Sequence, residues 1–262
     1  MKNLFFKTKR MSVQMQRLLM MMATILMAFT TLTACDILED NNDENGKEEE
    51  GGNGGGGVSG KRIKKIEITC SKPIINEPVR SEYSYNSDGT PKRIDDYDAS
   101  SKLFSYQLFT SNSDGTVAKW VVYSEVYPEM RIEQNWVYTS NKTVQKSKYD
   151  ILNNGVIAST ANILYTYENG KIIREDWTWD GQDRHDEWIC NYDSKGKRTS
   201  TTYNLYIQGL SYSMTYTRTY NSDGTIQKVT YPKSVEDNTL VTATYTWENG
   251  KTTMNFDDFT SH

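Results

Sequence analysis

From residue 61 onward, aromatic and polar residues alternate. Glu82-Tyr83-Ser84-Tyr85, Asn135-Trp136-Val137-Tyr138, Leu164-Tyr165-Thr166-Tyr167 and Thr244-Tyr245-Thr246-Trp247 each place a ring at every second position. A period of two marks a strand with one buried face. Aromatic and β-branched residues also suit strands intrinsically. The other face carries Thr, Ser, Lys, Arg, Glu and Asn. The aromatic face is therefore expected to be the buried one. Large aliphatic residues are scarce, so the core should consist mostly of rings, whose tyrosine hydroxyls need partners or a wet boundary.

Turn signals punctuate these strands at regular intervals. Asn86-Ser87-Asp88-Gly89-Thr90 recurs at 112–116 and at 221–225. Shorter versions are Glu168-Asn169-Gly170-Lys171, Asp193-Ser194-Lys195-Gly196-Lys197 and Glu248-Asn249-Gly250-Lys251, with a degenerate copy at Ser140-Asn141-Lys142-Thr143. The key positions 89, 115, 142, 170, 196, 224 and 250 are 26–28 residues apart. Asp-Gly and Asn-Gly supply the positive backbone angles that tight hairpins need. A second set lies halfway between, at Asp98 to Ser101, Tyr127-Pro128, Asn153-Asn154-Gly155, Asp180-Gly181, Gln208-Gly209 and Glu236-Asp237-Asn238. Internal repetition of this kind defines the architecture. It predicts an all-β, antiparallel up-and-down meander of about 14 strands, in seven two-stranded repeats, with no helix after residue 36. Such a sheet must manage its edges, by closing into a barrel, curling into a trough or coiling as a spiral. A membrane-inserted barrel would show an outward apolar band about 25 Å tall. The outward candidates here are largely polar, so a water-exposed barrel or sheet is expected.

The first 34 residues differ from the rest. Lys2, Lys7, Lys9, Arg10 and Arg17 precede an apolar run from Leu18 to Thr33, which ends in Leu32-Thr33-Ala34-Cys35. A basic stretch, an apolar core and small residues before a cleavage point make a secretory signal. The run falls short of the ~20 residues of a membrane-spanning helix. Leu-Thr-Ala-Cys resembles the lipobox of bacterial lipoproteins. The resemblance implies cleavage before Cys35, diacylglycerol on its thiol and an acylated new amine, and several acyl chains give stable anchoring where one is marginal. Residues 1–34 are thus read as signal peptide, and 35–60 as the lipidated Cys35 followed by a tether. Residues 61–262 form the repeat domain. The tether has eight acidic residues, eight Gly and one Lys over positions 36–60. It has almost nothing to bury and is expected to be disordered, reaching roughly 25–30 Å root-mean-square. Its acidic run resembles the surface-export signals of some Gram-negative lipoproteins. That implies the outer membrane and its outer face, with the periplasmic face as the alternative.

Processing changes the charge balance. The whole chain has 30 basic and 34 acidic residues. Without the signal the net charge is −9, and residues 61–262 alone carry −2. A near-neutral domain has no electrostatic footprint for nucleic acid. Cys70 and Cys190 remain once Cys35 is consumed. They form one disulfide in an oxidising compartment, or pack as two small apolar groups.

Candidate chemistry is sparse. No catalytic residue and no cofactor is assigned, and His185 and His262 are too few and too far apart to suggest a metal site. There is no Gly-x-Ser-x-Gly, His-Glu-x-x-His or phosphate-binding glycine loop. The acidic pairs Asp95-Asp96 and Asp257-Asp258 are of a kind that chance supplies. The one cluster of note is aromatic. Trp177 and Trp179 share a strand face, and Trp188 follows on the next strand. Exposed, they would form a stacking platform for sugar rings; buried, they are core. The expected function is a lipid-anchored, non-enzymatic binding or scaffold module. Its partners would be membrane lipid, through the acyl anchor, and a carbohydrate or an envelope protein. The alternatives are an assembly partner of an outer-membrane transporter and, third, a hydrolase.

Two resemblances bear on the repeat. Tyr192-Asp193-Ser194-Lys195-Gly196-Lys197-Arg198 resembles the Tyr-Asp repeat of Rhs-type proteins, whose strands wrap into a shell, and Tyr220 to Thr225 is a looser match. The whole pattern of lipobox, acidic tether and tyrosine-rich hairpins is similar to that of uncharacterised outer-membrane lipoproteins of gut bacteria. One such domain family is described as having a porin-like fold. Neither resemblance implies catalytic residues at any position of this chain.

Overall fold

The structure, a computed structural model, describes residues 60–253 apart from 76, 235 and 236. The signal segment, Cys35 and the tether up to residue 59 lie outside the described residues. Fourteen antiparallel strands follow one another: β1 (Lys61–Cys70), β2 (Arg80–Tyr85), β3 (Pro91–Tyr97), β4 (Leu103–Ser111), β5 (Val117–Ser124), β6 (Met130–Tyr138), β7 (Val144–Asn153), β8 (Val156–Glu168), β9 (Lys171–Trp179), β10 (Arg184–Tyr192), β11 (Arg198–Ile207), β12 (Leu210–Tyr220), β13 (Ile226–Pro232) and β14 (Leu240–Asn249). Each pairs with its sequence neighbour, and β14 pairs with β1, so the meander closes as a barrel. Closure removes the exposed edges that an open sheet would present. Among the described residues there is no helix.

The Asp-Gly turns gather at one rim, where β1 begins and β14 ends. The 86–90, 112–116 and 221–225 loops are built alike. The Gly89, Gly115 and Gly224 amides donate to the carbonyls of Asn86, Asn112 and Asn221. The Asp88, Asp114 and Asp223 carboxylates accept from the backbone and hydroxyl of the following Thr. In these loops only the glycine is left-handed, at φ 86–87°. The pairs Asn154-Gly155, Asn169-Gly170 and Gln208-Gly209 are two-residue turns with both residues left-handed, near 50° and 77°, as mirror-image hairpin turns require. The opposite rim carries the second set of loops. There Lys72 pairs with Asp237 at 2.9 Å, and the Lys233 ammonium donates to the Pro73 carbonyl. These contacts lace the loops on either side of the closing β14–β1 seam.

A bulge recurs at the Asp-Gly rim in every repeat, at Tyr85, Ser111, Tyr138, Tyr167, Tyr192 and Tyr220 and, on the closing pair, between Ile63 and Lys65. A bulge of this type turns a side chain and sharpens the local twist. Here it presents an aromatic donor to the preceding odd-numbered strand. Tyr85 donates to the Ile63 carbonyl, Tyr138 to Val117, Tyr167 to Val144, Tyr192 to Ile172 and Tyr220 to Arg198, at 2.6–3.0 Å. Trp247 does the same through its indole N–H to Ile226 at 2.8 Å. Six of the seven repeats carry this clasp. In the remaining one the position is Ser111, too short to reach, and its hydroxyl has no partner.

The outer face is polar. Arg80–Glu82, Arg93–Asp95, Arg131–Glu133, Lys148–Asp150 and Arg174–Asp176 pair along single strands, and Lys119–Glu133 pairs between strands. A lysine or arginine facing lipid at mid-membrane costs roughly 2–4 kcal/mol. Six ion-paired cations on the outer face set it apart from the apolar band of a membrane-inserted barrel. The expectation of inward rings holds for most aromatics, but not for Tyr97, Tyr106, Tyr123 and Tyr206. Tyr106 and Tyr123 stack on the outside at 4.9 Å between Arg93 and Arg131. Tyr106 and Tyr123 fall on the outward phase of β4 and β5, where arginine covers their faces.

The clasp makes a prediction. Tyr167→Phe leaves a buried carbonyl without its donor and should lower the unfolding free energy by about 1–2 kcal/mol. Tyr106→Phe keeps its stacked ring and should change it by less than about 0.5 kcal/mol. Urea unfolding of both variants checks the difference.

Candidate functional site in the barrel interior

The inward residues fall into rows of facing pairs. The row nearest the Asp-Gly rim is Tyr85–Pro91, Ser111–Val117, Tyr138–Val144, Tyr167–Ile172, Tyr192–Arg198, Tyr220–Ile226 and Trp247–Ile63. The next is Tyr83–Ile94, Phe109–Trp120, Trp136–Ser147, Tyr165–Glu175, Cys190–Thr201, Arg218–Val229 and Tyr245–Ile66. A third row contains Ser81–Asp96, Gln107–Val122, Gln134–Tyr149, Ile163–Trp177 and Trp188–Tyr203. Every strand contributes an inward side chain no more than 5% exposed, such as Ile66, Ser81, Asp96, Gln107, Val122, Gln134, Tyr149, Ile163, Glu175, Trp188, Thr201, Tyr216, Val229 and Ala243. A water-filled channel would leave its lining accessible. The waist of this barrel is therefore shut by its own side chains. Eight strands make a barrel that side chains just fill, and 16–18 leave an aqueous lumen. Filling fourteen requires large rings.

Trp177, Trp179 and Trp188 lie in this interior at 2–3% exposure. They are joined by Tyr149, Tyr203, Tyr216 and Tyr231, with ring centroids 4.3–6.4 Å apart. Trp177 and Trp179 do share a face, but it is the inward one. An exposed sugar platform made of these three rings is thus corrected to an aromatic core. The physical reason is the shortage of aliphatic residues to fill a wide barrel. Arg184 covers Trp179 at 4.3 Å, and Asp186 accepts from the Trp179 indole at 3.0 Å while pairing with Arg184.

Two polar clusters interrupt the core. In the first, the Asp96 carboxylate accepts from Ser81 at 2.6 Å, Ser105 at 3.2 Å and Gln107 at 3.1 Å. Gln107 in turn accepts from Trp120 at 2.8 Å. Burial outweighs these bonds and pushes the Asp96 carboxyl up to about 7. The pair Asp95-Asp96 was visible in the sequence, but only strand phase separates its members: Asp95 faces out to Arg93 and Asp96 faces in. In the second cluster, Glu175, Cys190, Arg198, Thr201 and Arg218 meet between β9 and β12, all at most 8% exposed. Arg218 donates to Thr201 at 2.6 Å, Arg198 to the Tyr192 hydroxyl at 3.1 Å, and Trp177 to Glu175 at 3.2 Å. Burial pushes the Cys190 thiol up, partly opposed by Arg198. Cys70 and Cys190 are both free thiols.

Sequence reasoning did not single out this second cluster, although the repeat carries a signal for it. On the outer surface, Asp176, His185 and Glu187 are the one group among the described residues with metal-ligating donors within 4.8 Å of one another. Arg174 already sits between Asp176 and Glu187, at 2.7 and 2.5 Å, and supplies the positive charge there.

The chain matches no protein-family model and no curated protein sequence. Its fold is similar to that of a porin-like protein from Bacteroides uniformis, with a TM-score of 0.43 and 13% identity over 71% of this chain and 96% of that one. It is also similar to part of the Photorhabdus luminescens Tc holotoxin pore, with a TM-score of 0.26 and 12% identity. That match covers 62% of this chain and 9% of the toxin chain. A TcdB2–TccC3–Cdc42 complex matches with a TM-score of 0.25 and 13% identity, over 65% of this chain and 10% of that one.

Two predictions follow from the interior. Trp177→Ala should cost about 3–5 kcal/mol of stability through the cavity it leaves, measured by chemical unfolding. The second concerns Asp96. The folded state keeps its proton up to about pH 7, whereas the unfolded chain releases it near 3.8. Ionisation therefore penalises the fold, and this contribution to stability falls as pH rises from about 4 to about 7. Asp96→Asn should remove that fall, so the variant gains on the parent chain across the window; identical pH profiles of unfolding would refute the assignment.

Proposed function

We propose that this chain is a lipoprotein of the Gram-negative cell envelope, anchored through Cys35, whose barrel works outside the bilayer as a non-enzymatic binding or scaffold module. The observation that carries the reading is the pairing of a charged outer belt with a shut waist. The first is unsuited to lipid and the second to conduction. A barrel that neither enters the membrane nor conducts needs another means of attachment, and the Leu-Thr-Ala-Cys sequence offers one. Residue 60 enters at the Asp-Gly rim, so the tether would leave the barrel from that end. The buried carboxylates favour a structural role, since Asp96 is spent on Ser81, Ser105 and Gln107, and Asp186 on Arg184 and Trp179.

A second reading, an assembly partner for an outer-membrane protein, draws on the rim opposite the tether. Ile75, Val126, Val156, Ile157, Leu210 and Leu240 are 47–70% exposed there. Exposed aliphatic residues grouped on one surface are a feature of contact sites. Crosslinking in intact envelopes should recover a membrane protein with the parent chain, and less of it with a Val156→Asp, Leu210→Asp double variant. Equal recovery by both would end that reading.

The anchoring is tested separately. Cys35→Ser should give a precursor with its signal uncut and no incorporation of labelled palmitate. The chain from residue 36 onward, made without lipid, should stay folded in buffer without detergent. A requirement for detergent would return the barrel to the membrane and overturn the reading.

A further inference from the structure

The seven repeats provide seven versions of each interior position, and they can be compared. At the start of each odd-numbered strand the inward residue is Ile63, Pro91, Val117, Val144, Ile172, Arg198 or Ile226. Six are apolar, and Arg198 alone is charged. Two residues before each clasp the inward residue is Tyr83, Phe109, Trp136, Tyr165, Cys190, Arg218 or Tyr245. Five are aromatic, and the two exceptions are neighbours. All three departures, Cys190, Arg198 and Arg218, converge on the same place between β10 and β12. Random drift of surface positions would not gather them in a closed core.

The charges there do not balance. Arg198 is fully buried and Arg218 is 8% exposed, whereas Glu175 is the cluster's single carboxylate. Arg218 makes one hydrogen bond, to the Thr201 hydroxyl, and its Nε has no partner. Among the described residues no carboxylate pairs with it, and the permanent charge that acts on it most is the like charge of Arg198. Guanidinium stays protonated in proteins. A buried charge without a counter-ion is strongly unfavourable, so the surplus of one positive charge calls for one negative charge. Cys190 also replaces a ring with a small thiol, which takes bulk away beside Arg218.

We propose that the barrel interior between β9 and β12 binds one small monovalent anion, a halide or a simple carboxylate, against Arg218 with Arg198 beside it. The anion completes the core by supplying the charge and the hydrogen-bond acceptor that the protein lacks there. A divalent anion would overcompensate.

The test uses the lipoprotein purified from membranes in a non-ionic detergent. Thermal unfolding is followed in sodium chloride, sodium formate and, at equal ionic strength, sodium gluconate, whose much bulkier anion serves as the control. Chloride or formate should raise the Tm with a saturating dependence, as binding to the folded state alone requires, and gluconate should not. Arg218→Phe restores the ring of the other repeats and should fold without the anion, with the saturating rise abolished. Should that variant not fold, Arg218→Gln serves, with the apparent affinity weakened at least tenfold. Glu175→Gln raises the positive surplus and should tighten the anion dependence. Equal Tm values in chloride, formate and gluconate would overturn the proposal, as would a saturating rise of unchanged affinity in both Arg218 variants.

Discussion

The hydrogen bond from each clasp residue to the strand before it organises this molecule. A meander of hairpins has strong contacts within each hairpin and weaker means of fixing how hairpins are set around a circle. Here an aromatic donor, turned inward by a bulge, reaches from the end of one even strand to a carbonyl at or near the start of the odd strand before it. The same side chain faces the first inward residue of the next repeat. Each clasp therefore sets both the tilt of its own repeat and the position of its neighbour. A short polar residue at 111 leaves a single gap in the circle, which β4–β5 pairing bridges.

Closure creates a second demand. Fourteen strands enclose more space than aliphatic side chains fill, and this chain has few of them. Rings fill it instead, on the side of β7 to β13. On the side of β2 to β7, Asp96, Gln107, Gln134 and their serine partners share the space with Tyr83, Phe109, Trp120 and Trp136. Such networks are stable only when each member is satisfied, and the Asp96 network meets that condition through three donors. The cluster around Arg218 does not, which sets it apart from the rest of the interior.

Inside and outside thus carry separate roles. The outer face is a belt of ion pairs of the kind that contributes little stability per pair. It gives the barrel a polar exterior. In the function proposed above, attachment to the membrane falls to a lipid on Cys35, and recognition to the rims and the interior.

The turns, the repeat period and the number of strands were legible along the chain, because Asp-Gly and Asn-Gly act locally through backbone conformation and a period of two marks each strand. The inward direction of Tyr83, Trp136, Tyr165 and Tyr245 was legible for the same reason. Along the chain, Trp177, Trp179 and Trp188 stood between an exposed platform and a core; only closure decided for the core, since a strand face becomes interior when the sheet closes, and closure depends on β14 meeting β1 across some 180 residues. Nor could sequence spacing bring Glu175, Arg198 and Arg218 together as a charge imbalance. Their positions are set by strand register and by bulges, and one residue of slip would have put each of them on the solvent face. Local chemistry along the chain determined the hairpins; only the closed barrel decided which side chains lost their water.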